Sequence, residues 1–315
     1  MVLSDVKISA IVPTIGRPES LRALLDSLIA QTHKVDEVIV ADASVDDFTQ
    51  IIVSNFVLKS ALIVNRVAVH PPNAVRQRTA AINVAHGDLL LFLDDDVVLE
   101  PDCIEQLLSV LEQNDDIVAV TADFNNQTWP EPTRIWQLYL RHVLKLNQNA
   151  WQGRVVGPLL RFGYNPVPPE PCAIEWLGSG NSLVRRSAFI AAGGFSDFFL
   201  HRCTINEDVD LGLKLRRTGT IMFCPAARMA HHHAPSGRVT MFMAAEDDLF
   251  NRFFILRRTM GLSLPRSFGL VLLYFTVETT SQFLGCVRRL NFRGFVAPLT
   301  GRLRAFGRLL IPLAR

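Results

Sequence analysis

Apolar positions in the first half of the chain fall into short unbroken runs. Between those runs they recur every three or four residues. "VKISAIVPTI" predicts a buried strand ending near Pro13. Pro18 and Glu19 then open a helix, with Leu21, Leu24, Leu25 and Leu28 at helical spacing. "DEVIVADAS" and "SALIVNRVAV" predict a second and a third strand, and residues 73–86 a helix ending at Gly87. "DLLLFL" predicts the next strand, "PDCIEQLLSVLEQN" a helix with Pro101 at its start, and "DIVAVTADF" a further strand. Strands that are apolar throughout and alternate with helices imply an α/β fold, a mostly parallel sheet with helices on both faces. Ligands of such sheets bind beyond the carboxyl ends of the strands. Pro13–Arg17, Asp42–Asp47 and Asp94–Asp96 all fall at those ends, so the three clusters are expected to line one crevice.

After about residue 124 the pattern loosens. Residues 125–175 carry seven prolines around a predicted helix at 134–146, which reads as an irregular connection or lid. Regular structure returns with "IEWLGSGNSLVRRSAFIAAGGF" and the helix "NEDVDLGLKLRRTG". From about residue 241 the chain reads as helices, giving a division into residues 1–240 and a C-terminal helical region, 241–315. The run "SFGLVLLYF" is short and Glu278 interrupts its continuation, whereas a membrane span needs about 20 apolar residues. A transmembrane helix is therefore not expected. In 292–313, Phe292, Phe295, Val296, Leu299, Leu303, Phe306, Leu310 and Leu313 fall near helical spacing, and Pro298 is expected to split the helix in two. The stripe suits an interfacial amphipathic segment, or a helix packed on the domain.

The composition, 49% hydrophobic and 20% charged, supports a sizeable core in one large or two small domains. The five cysteines (Cys103, Cys172, Cys203, Cys224 and Cys286) are scattered and form no CxxC, so they are expected to be reduced, in a cytoplasmic setting. "MVLSDVKISAIVPT" lacks a basic start and a long apolar core, so no signal peptide is expected. The net charge is only +2, yet residues 251–315 hold eleven Arg and one acid, Glu278. That asymmetry points the C-terminal region at an anionic surface. It is too apolar for a solvated basic arm, which argues against nucleic acid.

The chemistry is concentrated in "LLLFLDDDVVLEPD". Adjacent carboxylates disfavour each other's ionisation unless a cation or dipole relieves them. Mg²⁺ or Mn²⁺ would do so, and a solvated acidic turn is the plainer alternative. Together with "IVPTIGRPESLRALLDSLIAQ", "VIVADAS", "AHGDLLLFLDDD" and "NEDVDLGLKLRRTG", in this order and spacing, the run resembles family 2 glycosyltransferases over roughly residues 7–235. The resemblance implies the GT-A nucleotide-binding fold. It also implies an inverting transfer from a nucleoside-diphosphate sugar (UDP, GDP or dTDP type) to an acceptor hydroxyl. By the family's DxD motif, Asp96 should reach a divalent metal and Asp94 the ribose or the metal, with Asp95 ambiguous between roles. Asp42 should meet the base, and Pro13, Thr14 and Arg17 the base and phosphates. Arg78 stands where the family has Ala-Arg-Asn, here "QRT", and either faces the nucleotide or is an exposed helix charge. The family's ED motif maps its base to Asp208, supported by Glu207, although acids also simply cap a helix start. His231 is the implied extra metal ligand, with His233 as fallback, and Arg238 a diphosphate contact. Trp176 is either a sugar platform or a core residue. The C-terminal helices look like those that hold some members at the cytoplasmic membrane face, which with the Arg-rich apolar tail suggests a lipid-linked or polysaccharide acceptor.

Three other readings compete. A nucleotidyltransferase of sugar phosphates would carry a Gly-rich basic loop after the first strand, where "PTIGRPES" has one Gly and one Arg. A metal hydrolase is disfavoured by the absence of HExxH-like spacing. The intact acidic motifs weigh against a non-catalytic membrane-associated relative.

Overall fold

The computed structural model describes residues 6–57, 62–147, 149–201, 204–234, 239–290 and 292–309; Cys203 and Arg238 lie outside them. The chain divides into two compact units. One comprises residues up to Thr128 together with Pro166–Gly237, and the other Trp129–Asn165 together with the chain from Arg238 onward.

In the first unit the strands are β1 (Ile8–Thr14), β2 (Glu37–Asp42), β3 (Ile63–Ala68), β4 (Leu89–Leu93), β5 (Val97–Leu99) and β6 (Ile117–Phe124). The helices between them are α1 (Pro18–Ile29), α2 (Phe48–Val57), α3 (Ala74–Val84) and α4 (Cys103–Leu111). In the second unit follow α5 (Arg134–Leu138) and a hairpin, β7 (Val155–Val156) with β8 (Leu160–Arg161). The chain then returns to the first unit with β9 (Cys172–Ala173), β10 (Asn181–Arg185), α6 (Arg186–Ala191), α7 (Glu207–Leu215) and β11 (Thr220–His231). Last come α8 (Met241–Phe254), α9 (Leu264–Arg289) and α10 (Arg293–Leu309) in the second unit.

The sheet runs β3-β2-β1-β4-β10-β6-β11-β5, with β9 on β11. β3, β2, β1 and β4 are mutually parallel, as are β6 and β11. β10 is antiparallel to both β4 and β6, and β5 to β11, so the sheet is mostly parallel as expected. Every residue of β1, β2 and β4 is buried, which explains their unbroken apolar runs, while β3 at the edge is half exposed. The core gathers Val12, Val40 and Leu91 from the sheet with Leu21, Leu24, Leu25 and Leu28 from α1 and Leu107 from α4.

The second unit has its own core, in which Trp136, Leu140 and Trp151 from the proline-rich stretch pack with Tyr274 and Val277 of α9. The stretch read as an irregular connection is thus anchored on the C-terminal helices. Arg252 makes the junction: Nη1 donates to the carbonyls of Pro158 (2.8 Å) and Leu159 (2.7 Å), Nε donates to Asp248 (3.1 Å), and the guanidinium covers the Tyr274 ring at 4.0 Å. Three expectations change here. The helix predicted at 134–146 widens into a π-helical turn at Tyr139–Val143. α10 is one helix rather than two; Pro298 lies inside it, buried, and removes only one backbone donor. α9 runs straight through Glu278, because Trp136 Nε1 donates to that carboxylate at 2.7 Å.

The helix expected to end at Gly87 ends at Val84, and Gly87, before β4, is set by its close approach to β1. A Cβ would sit 2.5 Å from the Ser9 backbone nitrogen and 2.8 Å from the Lys7 carbonyl oxygen. Gly87→Ala is therefore expected to cost about 1–3 kcal/mol of overpacking strain, read as a lowered urea midpoint with unchanged slope; an unaltered midpoint would mean that β1 yields freely.

Candidate active site

Strand register assembles the site. Thr14, the last residue of β1, pairs with Asp42 on β2. Ile11 opposes Phe92, so extending that register brings Thr14 level with Asp95, and Thr14 Oγ1 donates to Asp95 Oδ2 at 2.7 Å. On the other side of β4, Asn181 opposes Leu93, which carries Gly180 to Asp94. The Asp94 N–H donates to the Gly180 carbonyl at 3.3 Å, and a Cβ at Gly180 would lie 2.2 Å from Asp94 Oδ2. Only glycine fits so close to that carboxylate. At the end of β11, His231 opposes Val97, which sets its Nε2 3.1 Å from Asp96 Oδ1.

Each acid of the triplet has its own counter-charge. Asp94 meets Arg78 Nη2 at 2.6 Å. Asp95 is buried and accepts from Arg17 Nη1 at 2.9 Å; burial nonetheless pushes its carboxyl up to about 6, against the pull of Thr14 and Arg17. Burial also raises Asp96, but the hydrogen bonds from His231 and the Ala234 N–H and the charges of His231 and Arg17 outweigh it and hold the group at about 2. Asp94, Asp96 and His231 each offer one ligand atom, and the three atoms lie within 4.8 Å of one another. Two carboxylate oxygens and an imidazole nitrogen suit Mn²⁺ or Mg²⁺, so the donor set fits a divalent cofactor. Asp95, turned inward onto Thr14 and Arg17, is absent from that set.

Glu207 and Asp208 open α7, after Asn206 turns the chain in the left-handed region at φ 68°. Glu207 is buried; Ser179 Oγ donates to its Oε1 at 3.0 Å, and Arg78 Nη1 lies 3.7 Å away. Burial and the neighbouring Asp208 charge push its carboxyl up to about 7, against Arg78 and Ser179. Asp208 is half-buried, with Oδ1 accepting the Val209 N–H at 2.8 Å.

The remaining candidates are placed as follows. Pro13 is buried in β1. Asp42 is fully buried, accepting from the Ser44 N–H at 2.8 Å and from Arg66 Nε at 2.7 Å. Arg78 is 3% exposed, so the picture of a solvated helix charge does not hold. Trp176 is buried, with Gly212 packed on its backbone. His233 lies against His231 with ring centres 4.0 Å apart and the rings tilted by 43°, and the His232 N–H donates to the Asp96 carbonyl at 2.9 Å. Sequence reading missed Arg66, Gln77 and Ser179. Gln77 Nε2 donates at 2.8 Å to the carbonyls of both Thr14 and Ala41, tying the ends of β1 and β2 together. A lone Gln and a lone Ser carry no pattern; Arg66, a charge within an otherwise apolar strand, was the one legible hint.

Residues 9–163 match the model of glycosyl transferase family 2. The match takes in just under half of the chain, whose sheet and flanking helices have the GT-A architecture. It is 29% identical over 251 residues to the O-antigen biosynthesis protein RfbC of Myxococcus xanthus, covering 76% of this chain and 18% of that protein. Over 72 residues it is 40% identical to the N-acetylglucosaminyl-diphospho-decaprenol L-rhamnosyltransferase of Mycobacterium tuberculosis, covering 22% of each. The match thus spans about a fifth of each of these two relatives. Among solved structures, the mannosyltransferase PcManGT of Pyrobaculum calidifontis, in complex with GDP-Man and Mn²⁺, superposes with a TM-score of 0.57 at 14% identity, over 97% of this chain and 86% of that one. The chain shares that protein's fold.

The buried Glu207 sets a pH dependence. Its folded value of about 7 exceeds the ordinary 4.5, so the folded chain binds the proton more tightly than the unfolded chain. Stability should therefore fall as pH rises from about 4.5 to about 7, and Glu207→Gln should flatten that fall. Urea midpoints in EDTA across this range check it; parallel curves for the two chains would show that Glu207 titrates like an exposed glutamate.

Proposed function

We propose that this chain is a family 2 glycosyltransferase that moves a sugar, with inversion, from a nucleoside-diphosphate sugar to an acceptor hydroxyl. The observation that carries the reading is the meeting of Asp94–Asp96 and His231 with the Glu207–Asp208 pair, joined through Arg78. Asp94, Asp96 and His231 would hold a divalent cation, which when bound neutralises the departing diphosphate. Asp208 takes the acceptor hydroxyl proton as the oxygen bonds to the anomeric carbon; the bond from that carbon to the diphosphate oxygen breaks, and the nucleoside diphosphate leaves with the electron pair. Glu207 supports Asp208. Asp42 reads the base with one oxygen steadied by Arg66, while Pro13, Thr14 and Arg17 line the nucleotide. Asp95 serves the cradle by orienting Arg17.

Thermal unfolding against UDP, GDP, dTDP and CMP, each with and without Mn²⁺, tests this reading. One nucleoside diphosphate should raise the midpoint only with metal, by about 2.7 kcal/mol at 100 times its Kd. Asp96→Ala should lose the metal dependence; Asp208→Asn should keep the shift and lose transfer. Pyrophosphate release from a nucleoside triphosphate would instead favour the nucleotidyltransferase, and no shift at all the non-catalytic reading.

The division into a glycosyltransferase domain and a membrane-associating C-terminal region belongs to the same proposal, as does placement on the cytoplasmic face with a lipid-linked or polysaccharide acceptor. The similarity to an O-antigen biosynthesis protein and to an N-acetylglucosaminyl-diphospho-decaprenol L-rhamnosyltransferase supports that acceptor class. α9 is long and apolar enough to cross a membrane by length and composition. Its Ser267, Val271, Tyr274 and Val277 are buried, however, and Tyr274 and Glu278 are hydrogen-bonded to Asp248 and Trp136. Leu264, Phe268, Leu272, Phe283 and Val287 are exposed on another face, with Arg266, Arg288 and Arg289 exposed near the helix ends. A helix held by polar bonds along one side and apolar along another suits the bilayer surface, with the arginines at anionic headgroups. The full chain should sediment with phosphatidylglycerol-containing vesicles and much less with pure phosphatidylcholine. Leu272→Glu with Phe283→Glu should weaken binding at least about tenfold. Undiminished sedimentation of this variant would remove α9 from the contact.

A further inference from the structure

α3 turns two adjacent side chains inward. Gln77 ties the carbonyls at the ends of β1 and β2. Arg78 does something different: one end of its guanidinium holds Asp94 at 2.6 Å and the other faces Glu207 at 3.7 Å. These acids stand 113 residues apart in the chain, at the end of β4 and the start of α7. The loop before β10 makes a second link between the same two places. Ser179 donates to Glu207, and the adjacent Gly180 carbonyl accepts the Asp94 N–H. We propose that Arg78 is a positioning residue that couples the metal-side acid Asp94 to the acceptor-side pair Glu207–Asp208. This inference rests on the functional reading above for the roles of the two acids, but the coupling itself does not.

The physical case is one of charge and burial. A buried guanidinium is stable only where carboxylates answer it, and the buried Glu207 needs a cation in turn, while Asp94 is half-buried. The rigid fork of arginine fixes the direction of both partners at once, which a lysine ammonium cannot do. With both ends of the fork directed at acids, Arg78 governs where Asp208 stands relative to Asp94. Misplacing a reacting group by about 1 Å can cost about 100-fold in rate.

Two measurements on the full chain test the coupling. The first is a thermal-unfolding cycle without metal or nucleotide, using Arg78→Gln, Glu207→Gln and the double variant. Glu207→Gln should raise the midpoint by more in the Arg78→Gln background than in the natural chain, because there it also removes the carboxylate left without its cation. An equal effect of Glu207→Gln in the two backgrounds would show that the two residues are uncoupled. The second measures the Mn²⁺-dependent midpoint shift with UDP, GDP and dTDP, and nucleoside diphosphate release from the corresponding hexose nucleotides. Arg78→Gln should keep nucleotide affinity within about threefold while turnover at saturating donor falls about 100-fold, and Arg78→Lys should restore little. Loss of nucleotide affinity with turnover kept at saturation would make Arg78 a donor contact and overturn the proposal. If Arg78→Gln fails to fold, Arg78→Lys carries the same comparison. If the natural chain binds no nucleotide, the functional reading fails, while the unfolding cycle still decides the coupling.

Discussion

The site depends on the balance of buried charge at the end of β4. Three consecutive carboxylates follow a strand with no exposed residue; Asp94 is half-buried, but Asp95 and Asp96 are buried, and water dissipates little of the repulsion between those two. The chain answers with its own cations, Arg78 on Asp94 and Arg17 on Asp95 and Asp96, with His231 beside Asp96. A divalent ion is therefore not required for the triplet to exist in a folded protein. It would enter a site whose acids are already oriented, and orientation fixed in advance is what makes such charges useful in chemistry.

That balance dictates which neighbouring elements must be where. Arg17 comes from the turn after β1, Arg78 from α3, His231 from the end of β11 and Gly180 from the approach to β10. Each is delivered by strand register or by a helix, and none by a free loop tip. The antiparallel β10 is the least expected of these elements. By running against β4 it brings the start of its strand, and the small residues Ser179 and Gly180 before it, to the carboxyl end of β4. A parallel strand in that place would have brought its end instead.

Much of this was legible in the chain, and the illegible part has a common cause. Strands buried on both faces announce themselves as unbroken apolar runs, so β1, β2 and β4, and the acids that terminate β2 and β4, could be placed from composition alone. Partners that depend on long-range register could not. Nothing local in "AVRQRTAA" says that Gln77 reaches two carbonyls or that Arg78 spans two acids. The same holds for the second unit, where Trp136 and Glu278, 142 residues apart, meet in one hydrogen bond. Without that partner a glutamate in an apolar run reads as an interruption; with it, the helix continues.

The two homopolymeric runs show how one letter can serve two jobs. The chain turns at Asp95 and Asp96 as it leaves β4, so that Asp94 and Asp96 gather with His231 while Asp95 is held by Thr14 and Arg17. The histidines divide in a similar way: the His231 and His233 rings lie 4.0 Å apart, tilted by 43°, whereas His232 contributes its backbone N–H to the Asp96 carbonyl. A triplet of like residues therefore needs no threefold function. Two members can build the site while the middle one fastens it, and the middle acid here is tuned accordingly, buried and pushed up to about 6 where Asp96 is held at about 2.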